Sequence, residues 1–212
     1  MSHLFVRNLV FQCNDLGKEV TLLLTFDGDM KGLYQDFFPI VWKVSKFGKA
    51  GPYRMRATYT SQLAFSIPQV VDGNIVDAET SVKINVGEQT TLTDVNDVYH
   101  FSPPKAGTPD ILQAVNKTGA VQDMAIGFMN PGDLMPKPAL FFHEIGDGSN
   151  VTAKFTPILR LYITSDYQET EILRGAIDTP AIWSQNLAAL SESTTWNLSR
   201  DPATGRYSIT KS

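Results

Sequence analysis

The segment Tyr53–Thr60 reads YRMRATYT, and its pattern decides the fold class. Apolar or aromatic residues alternate strictly with Arg or Thr. Successive side chains of a strand point to opposite faces of a sheet, so this pattern predicts a strand with one buried and one solvated side. The segment Ile40–Ser45 alternates in the same way, and Gly48–Pro52 between them predicts a turn. We therefore expect a hairpin with one apolar and one polar face.

Similar patterns recur along the chain. Asp72-Gly73 within Val70–Val76 predicts a tight hairpin turn, and the segment 195–209 predicts another hairpin around the turn 201–205. The segments Leu4–Cys13 and Val20–Phe26 predict two partner strands that flank a turn. Many short strands separated by Gly, Pro, Asn and Asp are typical of a sandwich or barrel rather than of a parallel α/β sheet.

We predict an all-β protein, an antiparallel β-sandwich or a flattened barrel, with one or two short helices. The stronger helix signal covers Thr179–Leu190, where Thr179 suits an N-cap and Pro180 the first helical position. Thr108–Leu112 has a similar but shorter start signal. No repeat, linker or break in composition divides the chain, so residues 1–212 are predicted to form a single β-sandwich domain.

Composition narrows the class of protein. A single cysteine, Cys13, excludes an intramolecular disulfide and a cysteine-based zinc cluster, and free cysteines are usually buried. No secretory signal pattern and no apolar stretch long enough for a transmembrane segment is recognisable, so we expect a cytoplasmic protein. The phosphate-binding and nucleophile-elbow motifs are absent, which leaves enzymatic activity undecided.

The formal charge of −4 is distributed unevenly along the sequence. Residues 71–150 carry 11 acidic and 4 basic side chains, whereas the segment Phe37–Val71 has no acidic residue. This distribution argues against nucleic-acid binding, which needs an extended basic face. On the predicted hairpin, Lys43, Arg54 and Arg56 share the polar face. Two interpretations follow: the acidic middle of the chain neutralises them, or they bind an anion.

The leading hypothesis is a soluble, lectin-like binding protein that recognises a small ligand, a glycan or an apolar molecule, through loops at one end of the sandwich. It rests on the absence of catalytic motifs and on aromatic residues expected at the surface, namely Trp42, Tyr53, Trp183 and Trp196. The methionine-containing loop 129–138 is a second candidate contact surface. Oligomeric state is open, homo-oligomers included. The predicted ligand-binding residues are Trp42, Lys43, Tyr53, Arg54, Arg56, Met129 and Met135.

The alternative hypothesis is an enzyme that uses a divalent transition metal, with a cupin-like or copper/zinc site at His100, His143 and Glu144. The strand containing His143 and Glu144 is apolar on both faces, so each side chain needs a polar partner if the strand is central. An edge or strand-end position, with both side chains partly solvated, is the simpler interpretation. His3 is a further candidate for Cu(II) or Ni(II) binding with the N-terminal amine.

Overall fold

A computed structural model describes residues 4–212, so His3 lies outside the described part. This part of the chain is built almost entirely from strands, with one turn of 3-10 helix at Leu187–Ala189. The strands are β1 (Val6–Cys13), β2 (Val20–Thr25), β3 (Phe38–Pro39), β4 (Val41–Phe47), β5 (Tyr53–Thr60), β6 (Leu63–Val71), β7 (Asn74–Ile84), β8 (Glu88–Asp94), β9 (Tyr99–Phe101), β10 (Lys105–Ala106), β11 (Leu112–Lys117), β12 (Gln122–Phe128), β13 (Lys137–Ile145), β14 (Asn150–Ala153), β15 (Ile158–Ile163), β16 (Trp183–Asn186), β17 (Ser193–Arg200) and β18 (Tyr207–Lys211).

The strands of residues 4–212 form four sheets. The first has the order β18-β17-β1-β5, the second β16-β15-β2-β4, the third β3-β13-β12-β6-β7, and the fourth β10-β8-β11-β14 with β9 paired to β8. Pairing is antiparallel except between β1 and β17 and between β8 and β11. The sheets pack on one another and do not close into a barrel, which confirms the predicted all-β sandwich class.

The first and second sheets face each other across a layer of large aromatic side chains, and we call this pair the first sandwich. Phe11 of β1 meets Trp183 of β16 edge-on at 5.1 Å between ring centroids, and Trp183 meets Trp196 of β17 at the same distance. All three rings are buried. Burial of rings this large, in edge-to-face contact, supplies much of the stabilisation between two facing sheets.

Four aromatic side chains connect the first sandwich to the third sheet, and we call this group the aromatic junction. Phe128 at the end of β12 lies within 4.9 to 5.8 Å of the rings of Phe26, Trp42 and Tyr59. The junction belongs to one contiguous hydrophobic cluster, to which all four sheets contribute residues. One apolar cluster therefore joins all four sheets.

The connection between β15 and β16, residues 164–182, covers two sheet faces that point away from this core. Leu173 packs with Leu23 and Tyr162 on the second sheet, while Ile172 packs with Phe141 on the third. The backbone of this connection pairs with the start of β4 and with the β6–β7 turn. Hydrogen bonds therefore hold the segment as well as apolar contacts.

Two of the predicted hairpins are confirmed and two predicted strand pairs are wrong. Strands β6 and β7 pair around Asp72-Gly73, both in the left-handed region, and β17 pairs with β18. In contrast, β4 pairs with β2 and β5 pairs with β1, so the segments Ile40–Ser45 and Tyr53–Thr60 lie in different sheets. Likewise β1 and β2 are not partners. In each case the turn carries the chain from one sheet to the facing sheet, because two strands in facing sheets bury their apolar sides against each other.

The predicted helix over Thr179–Leu190 is also wrong. Trp183–Asn186 forms β16, an edge strand on β15, and the 3-10 turn follows with Asn186 as its N-cap. Burial of Trp183 against Phe11 and Trp196 outweighs the local helix signal, which contributes only a weak preference. Thr108–Leu112 is a turn that leads into β11.

The aromatic junction makes a direct prediction about stability. Phe128→Ala removes a fully buried ring that contacts three others, so the free energy of unfolding should fall by about 3–5 kcal/mol. Leu134→Ala is the matched control, because Leu134 is 91% exposed and its loss should change stability by less than about 0.5 kcal/mol. Urea unfolding of both variants measures the difference. Equal stabilities would contradict the central role of the junction.

Candidate functional site

A cavity lies at one end of the first sheet, where β1 and β17 end and β5 begins. These ends meet because β17 runs parallel to β1 and β5 runs antiparallel to it. The cavity has a volume of about 630 Å³, and its walls include Gln12, Asp15, Arg54, Asn197 and Arg200. The arrangement offers amide, carboxylate and guanidinium groups on one concave surface.

A line of hydrogen bonds crosses the outer face of the first sheet beside this cavity, and we call it the amide ladder. Arg54 Nη2 donates to Gln12 Oε1 at 3.1 Å, and Gln12 Nε2 donates to Asn197 Oδ1 at 2.9 Å. Asn197 Nδ2 then donates to Ser212 Oγ at 2.5 Å. The ladder holds the amide side chains in fixed orientations, which favours recognition of a ligand that both donates and accepts hydrogen bonds.

Tyr53 stands between this cavity and a second one of about 710 Å³, which lies over the start of β2 and the end of β4. Tyr53 is 36% exposed as a residue. Its ring stacks on the ring of Phe47, with 5.8 Å between ring centroids and an interplanar angle of 23°. The Tyr53 hydroxyl also occupies the space that a Cβ at Gly48 would need. We refer to the two cavities and the ring between them as the Tyr53 end.

The basic side chains predicted to share one polar face make no direct ion pairs in the described part of the chain. Across residues 4–212, no carboxylate oxygen lies within 4.0 Å of the side-chain nitrogens of Lys43, Arg54 or Arg56. The acidic middle of the chain therefore does not neutralise them by direct ion pairs. Arg54 instead joins the amide ladder, while Lys43 and Arg56 line a separate cavity of about 260 Å³ with Lys137 and Glu169.

The other predicted ligand-binding residues fall in different environments. Tyr53 and Arg54 lie together at the Tyr53 end, but the ring of Trp42 is buried in the aromatic junction. Met129 is buried, with its carbonyl accepting a hydrogen bond from Thr60, and Met135 is partly buried in the loop before β13. Trp183 and Trp196 are core residues. The expectation of surface exposure was wrong for all three tryptophans, since each ring packs against other aromatic rings.

His143 has a close partner that sequence reasoning missed. Its Nδ1 lies 2.8 Å from Asp123 Oδ1, an oxygen that also accepts the backbone N–H of Glu144. Glu144 adopts a left-handed conformation with φ of 54°, and its carboxylate lies 3.5 Å from His143 Nε2. A register shift between β12 and β13 places these groups together. Both His143 and Glu144 are exposed near the end of β13, as the edge or strand-end interpretation expected.

The arrangement around His143 does not support the metal hypothesis. In the described part of the chain, no group of three or more His, Cys, Asp or Glu side chains is placed to hold a metal ion. His100 lies on β9 in the fourth sheet and does not line the cavity beside His143. Its neighbour Tyr99 does line that cavity, and adjacent strand residues point to opposite faces, so His100 points away.

Comparison with known proteins returns no match, whether to a family model, a curated protein or a solved structure. Residues 4–212 include no helix with the length and apolar character needed to span a membrane. The strands and sheets themselves define the class: an all-β protein of packed, mainly antiparallel sheets.

Cys13 at the wall of the Tyr53 end allows a chemical test of the site's packing. The side chain is buried, as predicted, and burial raises the pKa of the thiol, so little thiolate forms near neutral pH. At about pH 8, the folded protein should react with Ellman's reagent at least about tenfold more slowly than the urea-unfolded chain. Absorbance of the released thionitrobenzoate gives both rates. Equal rates would show that the wall around Cys13 is open.

Proposed function

We propose that this protein is a glycan-binding protein and that the Tyr53 end is its ligand site. The observation that carries the proposal is the position of Tyr53, an exposed aromatic ring between two cavities and next to the amide ladder. The proposed site lies at one end of the first sandwich, where strand ends of the first sheet and the loops beside them line the cavities. The supporting evidence is this geometry together with the chemistry of the lining residues.

The chemistry of the lining suits a hydroxylated ligand better than an apolar one. A sugar ring presents hydroxyl groups around its edge and C–H groups on its faces. Gln12 and Asn197 supply amide donors and acceptors, and the ring of Tyr53 supplies an apolar face. An apolar ligand would instead cover Arg54 and Arg200 and remove their hydration without replacing it.

The charges at this end favour a glycan that carries a carboxylate or sulfate group. Lys18, Lys46, Arg54 and Arg200 line the two cavities, against the acidic side chains of Asp15 and Glu19. A guanidinium donates paired hydrogen bonds to a carboxylate or sulfate, so Arg54 and Arg200 on the cavity wall suit an anionic ligand.

Substitutions at Tyr53 test the proposal on an array of neutral, sialylated and sulfated glycans. The wild-type protein should bind anionic glycans, and Tyr53→Ala should weaken the best of them by about tenfold or more, as for an aromatic hot spot. Tyr53→Phe keeps the ring face and should retain most of the affinity. Gly48→Ala should also weaken binding, because its methyl group would overlap the Tyr53 hydroxyl and the adjoining ring carbons and so displace the ring.

Tyr99→Ala is the matched control, since it removes a tyrosine ring from the fourth sheet, away from the Tyr53 end. It should leave glycan affinity unchanged. Calorimetry on the best array ligand gives the affinities, and thermal melting shows that each variant is folded. Absence of binding to every glycan on the array, or equal binding by Tyr53→Ala, would overturn the proposed function.

A further inference from the structure

A third cavity of about 540 Å³ lies at the opposite end of β2 from the Tyr53 end, and we call it the Asp27 cavity. It forms where the chain leaves β2 and where β15 begins, beneath the connection 164–182. Asp27, Tyr34, Arg160 and Tyr162 form its polar side, and Leu33 and Ile177 lie on its apolar side. The glycan site uses none of these residues.

Asp27 is a buried carboxylate without a full set of partners. Its side chain is only 3% exposed, and its Oδ2 accepts a hydrogen bond of 2.5 Å from the Tyr162 hydroxyl. Its Oδ1 is buried and has no hydrogen-bond partner among residues 4–212. Buried polar atoms in folded proteins are almost always paired, and an ionised carboxylate needs partners most of all.

Arg160 lies on the same cavity wall and its charge lowers the pKa of Asp27 through space, but it makes no direct ion pair with this carboxylate. Its Nη1 donates to the backbone carbonyl of Asp27 at 3.1 Å, and its Nη2 lies 3.3 Å from Asp29 Oδ1. The described residues place no basic nitrogen within 4.0 Å of the Asp27 carboxylate. Among residues 4–212, the Asp27 carboxylate therefore has no cation in direct contact.

The sequence Asp27-Gly28-Asp29 separates the two carboxylates into different environments. A Cβ at Gly28 would lie 2.8 Å from the Cβ of Ile158, so only glycine allows the chain to pass this close to the start of β15. On one side of Gly28, Asp27 is buried. On the other side, the Asp29 side chain is 98% exposed. The pair resembles a calcium-loop fragment in sequence, but one buried carboxylate lacks the six to eight oxygen ligands that calcium takes.

Tyr34 adds a strained backbone to the same cavity. Its φ of 64° is left-handed, a costly conformation for a large side chain, and its N–H donates to the carbonyl of Phe37 at 2.8 Å. Burial raises the pKa of Tyr34 to about 12 and raises that of Tyr162 as well, so both phenols stay neutral. The cavity thus combines one unpaired acceptor with two neutral aromatic rings.

We infer that the Asp27 cavity binds the ammonium group of a primary amine with an apolar body, with the ammonium paired to Asp27 Oδ1. An ammonium group supplies both a positive charge in direct contact with Oδ1 and a hydrogen-bond donor. The aromatic side chains of Tyr34 and Tyr162 line the cavity and suit a cationic group, and Leu33 and Ile177 accommodate an apolar chain.

The buried carboxylate has a pH-dependent consequence that needs no ligand. Burial raises the pKa of Asp27 above its ordinary value of 3.8. A group whose pKa is raised by folding stabilises the fold while it is protonated and loses that contribution as the pH rises through the raised pKa. The melting temperature of the wild type should therefore fall relative to that of Asp27→Asn as the pH increases from 3.8 upward. A difference in melting temperature between the two proteins that stays constant with pH would contradict a raised pKa at Asp27.

Titration with n-hexylammonium chloride, followed by amide chemical shifts, tests the binding proposal directly. At about pH 8, hexylammonium should bind the wild-type protein at least about tenfold more tightly than 1-hexanol, which lacks the charge. Asp27→Asn should lose this preference by about the same factor. Asp36→Asn, the same change at an exposed carboxylate that lies outside the cavity lining, is the matched control and should retain it.

Each outcome decides the proposal. Equal binding of hexylammonium and 1-hexanol to the wild type overturns it without any variant, so a failure of Asp27→Asn to fold does not protect it. Shifted amides at the Tyr53 end rather than around Asp27 would also overturn it. Asp27→Asn should leave glycan binding unchanged, so failure of the amine proposal and failure of the glycan proposal can be told apart.

Discussion

The packing of Phe128 against Phe26, Trp42 and Tyr59 is the contact on which the rest of the structure depends. Residues on the first, second and third sheets reach the same point in the core, with ring centroids 4.9 to 5.8 Å apart. Aromatic rings bury a large apolar area in well-defined geometries, so this junction restrains the angle at which the sheets meet. The loops at the ends of the first sandwich derive their positions from this core.

The two ends of β2 differ in their chemistry. At the Tyr53 end, an open surface presents amides and mainly basic side chains, and the charges remain hydrated. At the other end, a single carboxylate is buried with one oxygen unpaired. Hydrated groups on a surface cost little free energy, whereas a buried unpaired charge is costly and calls for a partner. The proposed ligands, an anionic glycan and an ammonium, follow from this contrast.

Sequence reasoning predicted the elements with strong local signals. The Asp72-Gly73 hairpin and burial of Cys13 were found in this way, and Tyr53 and Arg54 were singled out by their place in an alternating strand. It missed Gln12 and Asn197, whose pairing across β1 and β17 joins residues 185 positions apart. It also missed Asp123, which reaches His143 through a register shift that has no local signature.

By itself, the sequence determined that the chain forms strands and which side of many of them is apolar, because the side-chain period of two is a property of each segment alone. Only the tertiary structure decided which strands pair. Backbone N–H and C=O groups are the same at every residue, so they do not identify a partner. The partner is set by which apolar faces bury each other, and that choice sends β4 and β5 to different sheets. It also determines which polar side chains meet at the Tyr53 end and which carboxylate is enclosed near Tyr34 and Tyr162.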